Sequence, residues 1–248
     1  MNFSRVFSSF KKAPYPAVMT LITFVLFTCV YFFVTVRSIE PYYFSGLIFA
    51  IPFISFGAIT FFTIKEKLKR KAAIILTSVL TVIVPIVMCF AFIFMAITAP
   101  LSTVTDLSSY HRVLKLNDYE NSELIKHFPS KIPTDAKNAM FNYQPGFLQG
   151  GEGYKLKFST DSNSIENYIK EFSQGAKWIG KSNHREAEIN GVEMASFDSF
   201  GYNKLPIDFT IYLIISEPYK PFDWNHGKLS LVAVSKQRSE IIFFAKHW

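Results

Sequence analysis

The sequence predicts an α+β protein in which three N-terminal transmembrane helices are followed by an extracytoplasmic domain with a mostly antiparallel sheet and two helices. Three observations carry this reading. Uncharged apolar runs succeed one another up to Pro100. Beyond it, short alternating stretches are joined by turn residues, which favours antiparallel pairing. Lys and Arg crowd two of the three short flanks of the apolar runs, which sets the direction of insertion.

The first run extends from Tyr15 to Val36, the second from Tyr42 to Ile64 and the third from Ala72 to Ala99. Each reaches or exceeds the ~20 residues that cross a hydrocarbon core about 30 Å thick. Arg5, Lys11 and Lys12 precede the first run, and Lys65, Lys67, Lys69, Arg70 and Lys71 lie at the turn between the second and third, whereas the turn from Arg37 to Pro41 holds a single cation. Residues 1–14 and the basic loop 65–71 are therefore assigned to the cytoplasm, and residues 103–248 to the far side of a cell membrane crossed by the spans 15–36, 42–64 and 72–99. Tyr42 and Tyr43 suit the outer interfacial belt. The first run is too long for the apolar core of a cleaved signal, and no small-residue cleavage site follows Val36, so it reads as an uncleaved helix. Leu26-Phe27-Thr28-Cys29 lacks the small residues of a lipoprotein cleavage box.

No Asp, Glu, Lys, Arg or His lies within the runs, which argues against an independent ion or proton pathway. Hydroxyls such as Thr23, Thr60 and Thr81 can bond a preceding carbonyl of their own helix, and Pro52 and Pro85 are expected as kinks. The spans read as a packed anchor in the lipid bilayer.

The net charge of +7 belongs wholly to this half: up to Ala99 there are 9 Lys or Arg against 2 acids, leaving 17 of each beyond it. A neutral domain offers no support for nucleic acid as a partner. Both cysteines, Cys29 and Cys89, fall within the spans, so the domain has neither a disulfide nor a thiolate zinc site.

Within the domain, Ser and Thr after Pro100 read as a linker, and Leu124, Ile125 and Phe128 give a helical spacing over Asn121 to Phe128 that Pro129 ends. Ala139 to Tyr143 and Tyr154 to Ser159 form a strand pair around Gly150-Gly151-Glu152-Gly153. A second helix starts at Asn163 with Glu166 at capping-box spacing, carries the stripe Ile165, Tyr168, Ile169 and Phe172, and stops at Gly175. Asn190-Gly191 predicts a hairpin between Ala187–Ile189 and Val192–Met194. Further strands are expected at Ile207 to Ser216, Leu229 to Ser235 and Glu240 to Ala245, the last two joined near Gln237-Arg238. The two helices are expected on one face of the sheet.

Chemistry is sparse. The glycine cluster leads into the strand Tyr154-Lys155-Leu156-Lys157-Phe158 and not into a helix, so it is a turn and not a phosphate loop. In the expected hairpin Glu188 faces Glu193, with Glu186 on the same side, an acidic patch that either solvent, helped by Lys181 or Arg185, or a divalent cation would relieve. No calcium-loop spacing accompanies it, and no metal or other cofactor is assigned. His111, His127, His184, His226 and His247 show no zinc-protease spacing, and no nucleophile elbow occurs, so no catalytic residue is nominated. The loop Tyr219-Lys220-Pro221-Phe222-Asp223-Trp224-Asn225-His226 packs three aromatics between two strands. Exposed, Tyr219, Phe222 and Trp224 would dock a partner; buried, they would close one end of the core.

Phe128-Pro129 together with Phe141-Asn142-Tyr143-Gln144-Pro145-Gly146-Phe147-Leu148-Gln149-Gly150-Gly151 resembles a pattern in uncharacterised membrane or secreted proteins of Gram-positive bacteria. That resemblance implies a bacterial cell membrane and carries no activity. The resulting expectation is a membrane-anchored interaction or sensing module without a catalytic site, with an envelope protein or wall glycan as partner. A cell-envelope hydrolase, and an accessory subunit of a membrane transport or secretion complex, are the alternatives.

Overall fold

The structure, a computed structural model, describes residues 11–39, 42–98, 103–146, 151–221 and 223–248. It forms two compact units, Met1–Ile97 and Thr98–Trp248.

The first unit contains α1 (Pro14–Val36), a 3₁₀ turn (Ser45–Ala50) running into α2 (Ile51–Ile64), and α3 (Arg70–Thr98). Among the described residues three helical segments are long and apolar enough to cross a membrane, the second being the 3₁₀ turn and α2 together. Prolines open α1 and α2, where a missing N–H leaves no bond unmade. Pro52 therefore starts a helix and does not kink one, whereas Pro85 lies inside α3 as expected. The threonines turn their hydroxyls onto their own helices, Thr23 on Met19, Thr60 on Phe56 and Thr81 on Thr77, at 2.7–2.8 Å. Helices α1 and α2 meet closely, with the Thr20 and Thr60 hydroxyls 3.1 Å apart and Gly57 facing Thr20. Lys12 Nζ lies 2.7 Å from Glu66 Oε1, so the start of α1 and the turn before α3 share one end of this unit. Phe56, Ile59 and Ala73 form its small buried cluster.

The second unit is built on a six-stranded sheet of order β1-β2-β6-β5-β4-β3, antiparallel at every pairing. The strands are β1 (Lys137–Gln144), β2 (Glu152–Ser159), β3 (Trp178–Gly180), β4 (Thr210–Glu217), β5 (Lys228–Ser235) and β6 (Glu240–His247). The central pair, β5 and β6, is buried on both faces, which is why Leu229–Ser235 and Ile241–Ala245 are continuous small or apolar runs. Tyr154-Lys155-Leu156-Lys157-Phe158 alternates because only one face of β2 is deeply covered. At the outer edge, Val104 and Tyr143 exchange backbone hydrogen bonds of 2.8 and 2.9 Å.

On the first face, α4 (Tyr110–Leu116), the turns of residues 117–128 and α5 (Ser162–Gly175) enclose an aromatic core around Phe243. The rings of Phe128, Phe158, Tyr168 and Phe172 stand 5.5–6.0 Å from that of Phe243. Helix α4 follows the Ser and Thr of the expected linker, in a stretch for which no element was expected. Asn121–Phe128 is a set of turns and not a helix: Ser122 accepts from both Ile125 and Lys126 N–H, and the pattern stops at Phe128 before Pro129. Its Ile125 and Phe128 are buried all the same. Helix α5 ends at Gly175 and buries Ile165 and Phe172, but its cap is Asp161, whose carboxylate accepts from Ser164 N–H. Asp161 prevails over Asn163 because it sits one residue before the helix, where its side chain reaches a free donor.

The two segments expected as helices share the first face, and the second face is covered as well, by a segment from which no cover was expected. The chain leaves the sheet after β3 and returns at β4, and this excursion carries α6 (Arg185–Ile189) and two 3₁₀ turns, Val192–Met194 and Asp198–Phe200. Ala187, Val192, Ala195, Phe197, Phe200, Leu205 and Phe209 pack from it onto Ile211, Leu213, Leu231, Ala233, Ile242 and Phe244.

Candidate functional site

The excursion of residues 181–209 is tied at its base. Lys181 Nζ donates to Asp208 O at 3.3 Å and to Thr210 Oγ1 at 3.0 Å, and Ser182 Oγ donates to Leu205 O at 2.9 Å. Asp208 receives a fork from Arg238, Nε to Oδ2 at 2.9 Å and Nη2 to Oδ1 at 3.2 Å, which holds its carboxyl below the usual carboxylate range. With both ends of the excursion fixed, its outer side forms a cleft of about 640 Å³. Ala187, Val192 and Leu205 line it from the buried core, and His184, Arg185, Glu188, Glu193 and Lys204 surround them with charge of both signs. An apolar floor below a few orienting polar groups is the usual construction of a small-molecule or peptide site.

The Asn190-Gly191 hairpin is not formed. Arg185–Ile189 is helical, Asn190 N–H bonds back to Glu186 O, and Gly191 takes φ 73° before a 3₁₀ turn. A dipeptide that admits positive φ serves a hairpin or a helix end equally well, and here the apolar Ala187 and Val192 are buried by the second use. The cross-strand opposition of Glu188 and Glu193 is therefore absent. Those two residues line the cleft, whereas Glu186 accepts from Trp178 Nε1 at 2.8 Å. Among the described residues no three His, Cys, Asp or Glu side chains are grouped so as to hold a metal ion.

The aromatic loop divides. Tyr219 is 60 % exposed, Phe222 lies outside the described residues, and Trp224 is buried. The Trp224 ring lies 5.5 Å from that of Trp248, tilted by 57°, and rests directly on Gly191, where an added Cβ would fall 1.8 Å from Trp224 Cζ2. Of the resembling segment, Phe141–Gln144 belongs to β1, and residues 147–150 lie outside the described ones.

One Ser–His contact escapes sequence reading because its members are 103 residues apart: Ser230 Oγ lies 3.2 Å from His127 Nε2. Burial, with the Lys126 charge adding, pushes His127 down to about 3, so the imidazole is neutral at physiological pH. Ser230 is fully buried in β5, which withholds it from a substrate. In the cleft, Ser182 already spends its proton on a carbonyl. Neither serine has the exposed, base-activated geometry of a nucleophile. The chain matches no protein-family model, no curated protein and no solved structure.

Proposed function

We propose that this chain is a multi-pass cell-membrane protein, its amino terminus in the cytoplasm, whose second unit lies outside the cytoplasm and acts as an interaction or sensing module. The observation that carries the reading is the cleft of the 181–209 excursion: an apolar floor, a rim of both charge signs and a tied base, without an activated nucleophile beside it. The mixed rim suits a ligand or envelope partner with both anionic and cationic groups, such as a peptide or a wall glycan bearing peptide, and Tyr219 supplies a separate exposed ring. The topology is supported by the basic flanks, and the ion pair between Lys12 and Glu66 brings two of those flanks to one end of the first unit.

A second reading, an accessory subunit of a larger membrane complex, is favoured by the first unit. Much of α3 exposes apolar side chains, among them Ile75, Val82, Phe90 and Phe94, and an apolar gap of about 410 Å³ lies between the three helices. Both readings share one topological test. A reporter active only outside the cytoplasm, fused after Thr105, should be active, and protease added to intact protoplasts should digest the second unit. Retention of the full-length protein by wall glycopeptide should then fall in an Arg185→Ala, Glu188→Ala, Lys204→Ala triple variant. Unchanged retention with the topology intact would move the partner from the cleft to the membrane helices.

A further inference from the structure

Toward β1 the cover over the second face of the sheet runs out: Met140 is 42 % exposed, and Asn142, Lys155 and Lys246 are half-buried. Lys155 and Lys157 on β2 and Lys246 on β6 all lie on this face. Lys155 pairs with Phe244 and Gly153 with Lys246, so Lys155 and Lys246 are diagonal neighbours across the two strands, with Gly153 beside them. Gly153 is itself buried, yet a Cβ built on it meets nothing within 4 Å, so the space a side chain would fill is unoccupied. Asn142 and Gln144 stand opposite Lys155 and Gly153 on β1 and bring two amides to the same side.

Among the described residues, none of these three lysines has a carboxylate at ion-pair distance. Their ammonium groups rest on rings instead. Lys246 lies 4.4 Å from the Trp248 centroid and Lys155 5.9 Å from that of Phe244. Lys157 reaches Phe200 and Tyr202 and donates to Phe200 O at 3.2 Å. Lys155 is pushed down by burial, Asp198 opposes that shift, and the charge of Lys246 adds to it; Lys246 is pushed down by burial alone. Two partly desolvated like charges side by side are unfavourable, and one anion between them relieves both.

We propose that the notch over Gly153, flanked by Lys155 and Lys246, binds a phosphate group. Two neighbouring point charges match a dianionic or doubly coordinated oxyanion, and the two amides can donate to its remaining oxygens. The group could belong to an anionic lipid headgroup or to a soluble or polymeric phosphate. The notch shares no residue with the cleft, so either site can fail alone.

The test is lysine acetylation at limiting reagent, read by mass spectrometry on the full-length protein in phosphatidylcholine nanodiscs. It compares sodium chloride with inorganic phosphate at equal ionic strength, and phosphatidylcholine with phosphatidylglycerol discs. A bound anion that raises a lysine by about one pKa unit leaves about a tenth of the free amine, so Lys155 and Lys246 should be labelled about tenfold more slowly while exposed Lys115 and Lys170 keep their rates. Protection by inorganic phosphate identifies a soluble or polymeric source, and protection in phosphatidylglycerol discs alone identifies the headgroup. Gly153→Val should abolish protection by filling the notch with both lysines in place, and Lys246→Gln should weaken it at Lys155. The proposal is overturned if neither phosphate nor phosphatidylglycerol slows these two lysines more than the exposed ones, or if protection survives Gly153→Val.

Discussion

Replacing Gly191 with alanine should destabilise the second unit through two separable effects. Its φ of 73° is left-handed, and an L-residue there costs roughly 1–2 kcal/mol. The new Cβ would also fall 1.8 Å from Trp224 Cζ2, so the buried ring must move. Overpacking of this kind costs about 1–3 kcal/mol, for a total of about 2–5 kcal/mol. For a unit of this size that corresponds to a drop in Tm of roughly 5–15 °C. Gly201 supplies the control, because its φ of 82° is equally left-handed but nothing lies within 4 Å of its added Cβ. Gly201→Ala should therefore lose only the backbone part. Trp178, Trp224 and Trp248 are the only tryptophans of the chain and all lie in the second unit, so thermal unfolding of the detergent-solubilised protein can be followed by tryptophan emission without signal from the first. Emission of the folded Gly191→Ala protein should also shift to the red as Trp224 meets water. Equal losses at Gly191 and Gly201, with unshifted emission, would show that Trp224 does not pack on Gly191.

Two other outcomes follow from the same geometry. His127 falls to about 3 in the folded state from an ordinary 6.5, so between those values the unfolded chain holds a proton the native one lacks. Its contribution to stability is full above pH 6.5 and is lost, at about 1.4 kcal/mol per pH unit, as pH falls toward 3. His127→Gln should flatten that part of the curve of stability against pH; parallel wild-type and variant curves would mean that His127 titrates normally. In the aromatic loop, Tyr219→Ala should leave Tm nearly unchanged, whereas Trp224→Ala should cost about 3–5 kcal/mol. A large loss from Tyr219→Ala would mean that its ring is buried.

The strands were legible where side-chain alternation or an unbroken apolar run met a turn signal, as in β2, β5 and β6. The helix that begins at Tyr110 was not, because its seven residues carry too few periods to show a stripe and follow the Ser and Thr that mark a linker. Asn190-Gly191 misled for a related reason. The dipeptide specifies a backbone conformation, and what precedes it, a helix of five residues, is too short to reveal itself by periodicity. The cleft is half legible: the sequence points to Glu188 and Glu193, but through a cross-strand pairing that the fold does not form. Arg185 stands on the same short helix as Glu188 and is legible beside it, whereas Lys204 joins them only because the excursion folds back on itself, which is information held in non-local contacts. The notch at Gly153 is not legible in the sequence, since a glycine beside a turn reads as part of the turn and the diagonal approach of Lys246 depends on the β2–β6 register.

The knot of bonds at the base of the excursion separates two kinds of sequence requirement. Lys181, Ser182, Asp208 and Thr210 hold the neck, and the inward apolar residues hold the floor, so the rim carried by His184, Arg185, Glu188, Glu193 and Lys204 bears little of the scaffold's stability. Such a rim can drift, exchanging one charge for another, without a compensating change in the strands beneath it. Under the proposed reading, selection can retune the partner of the cleft while leaving the folding of the domain untouched, and an engineer can do the same by rewriting five exposed positions.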